Sequence, residues 1–304
     1  MKETGKIWMN GKLIPFKDAK VHVLTHALHY STAVFEGIRC YNTPDGSAIF
    51  RLPEHVDRFF NSAKMYGMKM RYSKKQISNA IIKTVKTSGL KECYIRPLAY
   101  YGYGTMGLTP TLNKVDVSIA CWKWKMGESK AGKFSGAKCK ISKWIRIDSK
   151  SQPMQSKSAA NYSNAALARV EALKNGYDEA IMLNNKGNVA EGSAENIFVV
   201  KNGTIKTPPL DADILNGITR DSVIQLIKKE HMKLVEKNIT VNELLKADEV
   251  FMTGTAAEVK SVTKIDKNAI GNGSIGEITK ELQKSFMNVV MGKDKRFTRW
   301  LTCL

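Results

Sequence analysis

One lysine, followed along the chain by two acids, is the pattern in this sequence that most directly suggests chemistry. Lys157 lies in the segment SQPMQSKSAANYSNAALARVEAL, and Glu191 and Glu195 follow it in EGSAEN. A pyridoxal phosphate enzyme requires an amine that binds a carbonyl carbon covalently and a carboxylate that keeps a pyridine nitrogen protonated. The residue types and their order therefore predict amine chemistry centred on Lys157.

The residues around Lys157 favour an interior position over a solvated surface position. The flanking segments SQPMQS and SAANYS are small, uncharged and free of turn glycines. The following segment is expected to form an amphipathic helix with Leu167, Val170 and Leu173 on one apolar face and an end at Gly176. We therefore expect the chain to lead Lys157 into the protein.

Length and composition are those of a globular protein. The chain has 304 residues, 43% hydrophobic and 25% charged, enough for two domains. It contains neither an apolar run of about 18 residues nor a signal-like leader, so a cytoplasmic location is expected. The five cysteines are scattered and favour buried thiols over disulfides or zinc ligands: Cys40, Cys93, Cys121, Cys139 and Cys303.

The net charge of +20 raises the alternative of a basic nucleic-acid-binding protein. The basic residues are spread along the whole length, and no finger, RNP-type or helix-turn-helix pattern is present. The distribution therefore favours a protein without a specific nucleic-acid partner. A visible chromophore would distinguish the enzyme from the binding protein.

Turn signals and periodicity predict two α/β units with no internal repeat. Asn10-Gly11 and the Pro44-Asp45-Gly46 turn each indicate a hairpin in the first unit. Helices are expected from about residue 53 to 66 and 74 to 88 there, and near 218 and from about 276 to 291 in the second unit. The predicted domains are residues 1–121 and 135–304, joined by an interdomain loop at 122–134.

Two patterns resemble ligand sites without their usual context. GNGSIG has the glycine spacing of a dinucleotide-binding loop, but it lies near the C-terminus and no βαβ unit surrounds it, so a turn is expected. His22, His26 and His29 lack an accompanying carboxylate or thiolate, so we expect structural histidines and no metal.

Three elements are suited to hold an anionic group. The segment ILNGITRDSV begins a helix whose first amides, at Ile218 and Thr219, would point at an anion. Thr255, in the small-residue turn MTGTAAEV, can donate through its hydroxyl and its backbone. Arg58, in RLPEHVDRFF, can supply a planar guanidinium.

Six motifs, in order, resemble those of one known family. They are KVHVLTHALHYSTAVFEGIRCY, YIRPL, KSAANY, EGSAENIF, GITRD and DEVFMTGTAAE, and together they span nearly the whole chain. The set closely resembles the branched-chain amino-acid aminotransferases, pyridoxal phosphate enzymes of fold type IV. The resemblance implies a small N-terminal α/β domain, an interdomain loop, a larger cofactor-binding C-terminal domain, and a homodimer or an assembly of dimers.

The resemblance also implies a role for individual residues. Lys157 would be the Schiff-base lysine and proton carrier, Glu191 the partner of the pyridine nitrogen, and Tyr162 the neighbour of the phenolic oxygen. The phosphate would be bound by Arg58, Ile218, Thr219 and Thr255. The implied substrate contacts are Phe35, Gly37, Tyr94, Arg96, Trp124, Thr255, Ala256 and Ala257, with Tyr30 and Leu108 from the neighbouring subunit.

The implied reaction is a ping-pong exchange of an amino group between Leu, Ile or Val and 2-oxoglutarate. Glu195 is expected to be a structural acid. Two departures from the family pattern concern the pocket wall, where WKWKMGESK lacks a tyrosine, and Asn216, which replaces a usual proline. A D-amino-acid aminotransferase or an aminodeoxychorismate lyase of the same fold remains the alternative within the class.

Overall fold

A computed structural model describes residues 5–124 and 136–304. The described residues form two compact units. The first unit comprises residues 5–124, 156–160 and 289–304, and the second comprises residues 136–155 and 161–288. Most of the predicted loop at 122–134 lies outside the described residues, and the domain boundaries stay a prediction.

Both units combine strands and helices, as expected for the α/β class of the α+β type. The strands are β1 (Lys6–Met9), β2 (Lys12–Pro15), β3 (Ala33–Phe35), β4 (Ile38–Thr43), β5 (Gly46–Phe50), β6 (Cys93–Tyr101), β7 (Val115–Trp122), β8 (Ala137–Ile141), β9 (Glu179–Leu183), β10 (Val189–Gly192), β11 (Asn196–Lys201), β12 (Thr204–Thr207), β13 (Lys233–Glu236), β14 (Glu249–Gly254), β15 (Glu258–Ile265), β16 (Asn268–Ala269) and β17 (Leu301–Cys303). The α-helices are α1 (His26–Tyr30), α2 (Leu52–Met65), α3 (Lys74–Ser88), α4 (Ala159–Lys174), α5 (Ile218–Lys229), α6 (Val241–Leu245) and α7 (Glu277–Val290).

The first unit is built on an antiparallel sheet of eight described strands. Their order is β17-β5-β4-β6-β7-β1-β2, and β3 pairs with β6. The Asn10-Gly11 turn has positive φ at both residues, 49° and 94°, which confirms the hairpin prediction. Phe59 of α2 and Ile81 of α3 pack with Ile95 and Ile119 of the sheet to form its core.

The second unit is built on a mixed sheet of nine described strands. Their order is β10-β9-β8-β15-β14-β11-β12-β13, and β16 pairs with β15. The pairs β8–β9, β8–β15 and β12–β13 are parallel. Ile197 and Val250 pack on one face with Ile239 and Leu244. Helix α5 packs against β14.

Helix α4 shows the opposite orientation from the one predicted. Leu167, Val170 and Leu173 are about half exposed, at 48%, 47% and 53%. The buried face carries small residues instead, among them Ala165, Ala168 and Ala172. Alanines at a helical spacing allow a helix to approach its neighbours closely, so the larger side chains point outward. The prediction of a buried leucine face was wrong.

The remaining sequence patterns have structural roles. The GNGSIG segment forms the turn between β16 and α7, with positive φ at Gly271 and Gly273. The ring nitrogens of His26 lie 2.9 Å from the Thr32 hydroxyl and 2.9 Å from the Gly107 carbonyl. Four of the cysteines are buried, whereas Cys303 is exposed. Among the described residues, no helix is both long and apolar enough to cross a bilayer.

Candidate active site

The backbone on both sides of Lys157 is fixed within the first unit. Its amide donates to the hydroxyl of Ser62 on α2 at 2.9 Å, and its carbonyl accepts from the amide of Phe35 at 3.0 Å. The neighbouring Ser158 bridges Val34 of β3. The ammonium nitrogen of Lys157 lies 5.2 Å from the centre of the Phe35 ring. The half-buried amine can therefore move only through its own side-chain torsions.

Arg58, on α2, is held by a fully buried carboxylate. Its Nε and Nη2 donate to the two oxygens of Glu36 at 2.6 and 2.9 Å, and Nδ1 of His55 lies 2.8 Å from the same group. Glu36 is 0% exposed. Burial raises the pKa of Glu36, but Arg58 and His55 outweigh burial and hold the pKa below its ordinary value. The paired geometry fixes the plane of the guanidinium.

His55 completes this cluster as a neutral group. Burial lowers the pKa of His55, and the neighbouring Glu36 carboxylate only partly offsets that effect. Sequence reasoning found Arg58 but not Glu36 and His55. Each of the two stands in a motif, FEGIR and LPEHVDR, yet nothing in the spacing indicates that they meet.

Arg96 lies among aromatic rings on β6 and its neighbouring strands. Its guanidinium carbon is 4.7 Å from the ring centre of Phe35, 5.4 Å from that of Tyr94 and 5.8 Å from that of Trp122. Its Nη2 donates to the Tyr94 hydroxyl at 3.4 Å, and its buried Nε has no hydrogen-bond partner among the described residues. A cation in this setting is suited to a carboxylate from a ligand.

Two further predicted residues lie in the same cluster. A Cβ at Gly37 would overlap the Tyr94 hydroxyl, so this position requires glycine. Trp124 packs on Tyr94 with ring centres 5.1 Å apart. The predicted substrate residues Phe35, Gly37, Tyr94, Arg96 and Trp124 thus lie together. Met126 and Gly127, near the missing linker tyrosine, are outside the described residues.

Tyr30 and Leu108 lie on an exposed surface of the first unit. Tyr30 is 41% exposed and Leu108 is 79% exposed. The Tyr30 hydroxyl donates to the Met106 carbonyl at 3.0 Å, which holds α1 against the loop that carries Leu108. Exposed side chains at these positions agree with the expectation that Tyr30 and Leu108 contact the substrate site of a neighbouring subunit. That contact stays a prediction.

In the second unit, Glu191 is a buried carboxylate with three neighbours. Glu191 is 5% exposed, and its Oε1 lies 2.8 Å from Nη2 of Arg146. Its Oε2 accepts from the Asn196 side chain at 3.0 Å and from the Leu215 amide at 3.2 Å. A guanidinium and two neutral donors favour the ionised carboxylate.

Sequence reasoning missed Arg146 and Asn196. Arg146 is one of 48 basic residues, and its only distinguishing signal is the apolar Trp144, Ile145 and Ile147 around it. Asn196 stands in the EGSAEN motif, five residues after Glu191. That spacing gives no indication of a contact across the turn.

Glu195 has different surroundings from Glu191. Its Oε2 accepts from the Ala194 amide at 3.1 Å, and a Cβ at Gly254 would come within 3.2 Å of its Cγ. A Cβ at Gly192 would come within 3.2 Å of its Oε2. Glu195 therefore fills the space beside two glycines, as a structural acid does.

The N-terminus of α5 presents backbone amides that no side chain caps. Its N-cap residue, Gly217, is extended, and no side chain caps the helix. A Cβ at Gly217 would overlap the amide oxygen of Asn196, so glycine is required here. The first amides belong to Ile218 and Thr219, as predicted. They provide unsatisfied donors and the positive end of the helix dipole.

The other predicted residues of the second unit lie at turns or helix starts. Thr255, Ala256 and Ala257 form the turn between β14 and β15, closed by the pair Gly254–Glu258. Tyr162 lies half-buried in the first turn of α4.

Pyridoxal phosphate presents a carbonyl group, a phosphate ester and a ring nitrogen, and each unit has groups that suit parts of it. In the first unit, the Lys157 amine suits the carbonyl group, and the fixed guanidinium of Arg58 suits the phosphate. In the second unit, the Glu191 carboxylate suits a protonated ring nitrogen, and the uncapped first turn of α5 suits the phosphate.

Comparison with known proteins agrees with this set of groups. The family model for amino-transferase class IV matches residues 33–265. The Branched-chain-amino-acid aminotransferase of Pseudomonas aeruginosa is 44% identical over 98% of this chain and 97% of that protein.

Solved structures are similar over the full length. The branched-chain amino acid aminotransferase of T.th. with pyridoxamine 5'-phosphate has a TM-score of 0.97 and 43% identity, covering 100% of this chain and 99% of that chain. The same enzyme complexed with N-(5'-phosphopyridoxyl)-L-glutamate has a TM-score of 0.94 at the same identity and coverage. The predicted fold type is confirmed, and the chain belongs to the class IV amino-transferase family.

Proposed function

We propose that this chain is a pyridoxal phosphate-dependent branched-chain amino-acid aminotransferase that exchanges the amino group between Leu, Ile or Val and 2-oxoglutarate. The observation that supports it most directly is the position of Arg96 among the rings of Phe35, Tyr94 and Trp122. Aromatic walls can contact an aliphatic side chain, and the guanidinium can donate hydrogen bonds to the distal carboxylate of glutamate. The names of the similar proteins agree with this activity.

Each residue of the proposed site has a defined task. Lys157 would hold the cofactor between turnovers. Arg58, the amides of Ile218 and Thr219, and Thr255 would bind its phosphate. Glu191 would keep a proton on the ring nitrogen, and Tyr162 would donate a hydrogen bond to the phenolic oxygen. When bound, pyridoxal phosphate supplies the electron sink for the pair left at the substrate Cα.

Proton transfer is the task of Lys157. With pyridoxal phosphate and substrate bound, the free amine of Lys157 would be the base that takes the proton from the substrate Cα and the acid that gives it back. The fixed backbone at Ser62 and Phe35 keeps the travel of the amine short. Arg146 keeps Glu191 ionised during these steps. The second half of the cycle uses 2-oxoglutarate and returns glutamate.

We also infer a homodimer, or an assembly of dimers, in the cytoplasm. Two segments of the first unit, residues 21–30 and 103–112, carry large exposed apolar side chains: Val21, Val23, Leu24, Leu28, Tyr30, Tyr103, Leu108 and Leu112. Thr25 bridges Tyr103, and His22 packs on the Tyr103 ring at 4.6 Å, which joins the two segments into one surface. Apolar surfaces of this kind mark protein interfaces. Light scattering at micromolar protein concentration should give the mass of two chains or of a multiple of two chains.

The activity is tested by replacing Lys157 with alanine. Lys157→Ala should abolish both the visible absorption band of the purified protein and the exchange between leucine and 2-oxoglutarate. Lys150→Ala, at an exposed position, is the matched control and should retain both. Substantial turnover by Lys157→Ala would refute the assignment of this lysine. A colourless wild-type protein that does not bind pyridoxal phosphate would refute the proposed enzyme class.

A further inference from the structure

Thr253 is a buried hydroxyl group to which the proposed mechanism assigns no function. It lies in β14 and is 1% exposed, and its Oγ1 has no hydrogen-bond partner among the residues that the structure describes. Buried hydroxyl groups in folded proteins are nearly always paired, because an unpaired one loses its hydration without compensation. A polar group of a bound ligand can supply the missing partner.

The strand register shows on which face of the sheet this hydroxyl lies. Thr253 is directly opposite Asn196 in the antiparallel pair of β11 and β14. Directly opposed residues project their side chains on the same face, with Cβ atoms about 5 Å apart. The next pair on that face, Phe198 and Phe251, confirms the alternation, since the two rings stack at 4.9 Å.

Asn196 connects that face of the sheet to the start of α5. Its Nδ2 donates to the Leu215 carbonyl at 2.9 Å, and its Oδ1 occupies the space that a Cβ of Gly217 would need. Gly217 is the N-cap of α5, a helix of 12 residues with no capping side chain. Thr253 therefore lies on the same face as Asn196, the residue that contacts the N-cap of this helix.

We propose that the Thr253 hydroxyl donates a hydrogen bond to the phosphate ester bound at the N-terminus of α5. This inference rests on the proposed function and adds a donor to Arg58, Ile218, Thr219 and Thr255. At neutral pH the phosphate oxygens accept hydrogen bonds and do not donate them. A hydroxyl donor beside the helix amides therefore suits them.

The test measures the affinity of the cofactor-free full chain for pyridoxal phosphate and for pyridoxal, by absorption titration. Thr253→Val keeps the shape of the side chain and removes the donor. We expect Thr253→Val to bind pyridoxal phosphate about 10- to 100-fold more weakly than the wild type. Its affinity for pyridoxal, which lacks the phosphate, should be unchanged. Thr253→Ser should restore most of the affinity for pyridoxal phosphate.

Thr207→Val is the matched control. Thr207 is also buried in the second unit, but its hydroxyl donates to the Ile197 carbonyl at 2.8 Å. Thr207→Val should lower the melting temperature of the cofactor-free chain, whereas Thr253→Val should leave it unchanged or raise it.

The outcomes separate this inference from the proposed function. A wild-type chain that does not bind pyridoxal phosphate refutes the proposed function. If the wild type binds, unchanged affinity of Thr253→Val refutes the role of the hydroxyl. Equal losses for pyridoxal phosphate and pyridoxal refute the phosphate as its partner. A cofactor-free Thr253→Val destabilised as much as Thr207→Val shows that the hydroxyl bonds the protein itself.

Discussion

Glu36 receives two hydrogen bonds from Arg58 while its own side chain is fully excluded from solvent. A carboxylate in that position is stable only when it is ionised and paired. The pair therefore fixes the orientation of Arg58 before any ligand arrives.

Glu36→Gln should destabilise the protein by about 3 to 5 kcal/mol, because it leaves the Arg58 charge without its partner. Urea unfolding at pH 7 measures this loss. The pKa of Glu36 is lowered in the folded state, so its contribution is present above the pKa of an unfolded glutamate, about 4.3. The difference between the two proteins should shrink as the pH falls below that value.

Asp57→Asn provides the control for this change. Asp57 pairs with Lys74 at 2.7 Å, but both side chains are 55% exposed. An exposed pair contributes less than about 1 kcal/mol. Equal losses for Glu36→Gln and Asp57→Asn would show that burial does not strengthen the Glu36 pair.

Because His55 is buried, we expect the free energy of unfolding to fall as the pH is lowered from 7.5 to 5.5. Its pKa is lowered by burial in the folded state, so the unfolded chain takes up a proton near pH 6.5 that the folded chain does not. Stability therefore falls as the pH falls, by up to about 1.4 kcal/mol per pH unit. His55→Asn keeps a donor for Glu36 and removes the titration, so its stability should depend less on pH. The exposed His231→Asn should keep the wild-type slope.

Glu191→Gln should lower kcat/KM about a hundredfold, since one electrostatic contact that stabilises a transition state is worth about 3 kcal/mol. Steady-state assays with leucine and 2-oxoglutarate measure the effect. Glu195→Gln is the matched control, because Glu195 lies beside Gly192 and Gly254 instead. If kcat/KM fell more in Glu195→Gln than in Glu191→Gln, Glu195 would be the partner of the ring nitrogen and Glu191 the structural acid.

Arg96→Met should separate the two substrate classes. Removing one partner of a buried charge pair costs about 2 to 5 kcal/mol, so kcat/KM for glutamate should fall roughly 30-fold to several thousandfold. Leucine, isoleucine and valine should change little and keep modest mutual preferences, because single methylenes contribute only about 1 to 3 kcal/mol. An equal fall for leucine and glutamate would make Arg96 a structural residue or a general carboxylate anchor.

Local signals in the sequence were sufficient for several helices and hairpins, whereas the roles of the site residues stay predictions. The helix at Lys74–Ser88 was predicted at its observed bounds, and its Ser73 and Gln76 form a capping box that specifies the start. Contacts between residues that are far apart in the sequence could not be predicted from local patterns. Arg146 meets Glu191 across 45 residues, and α4 buries its alanines because tertiary packing selects the face.

The amide of Asn196 donates to both the Glu191 carboxylate and the Leu215 carbonyl, so one side chain sets the separation between that carboxylate and the segment that leads into α5. A ligand that spans the two must match a length already fixed by the protein. Little conformational freedom is then lost on association, and the binding free energy is not spent on ordering the site. The same rigidity makes the length of a ligand, as well as its charge, a criterion for entry.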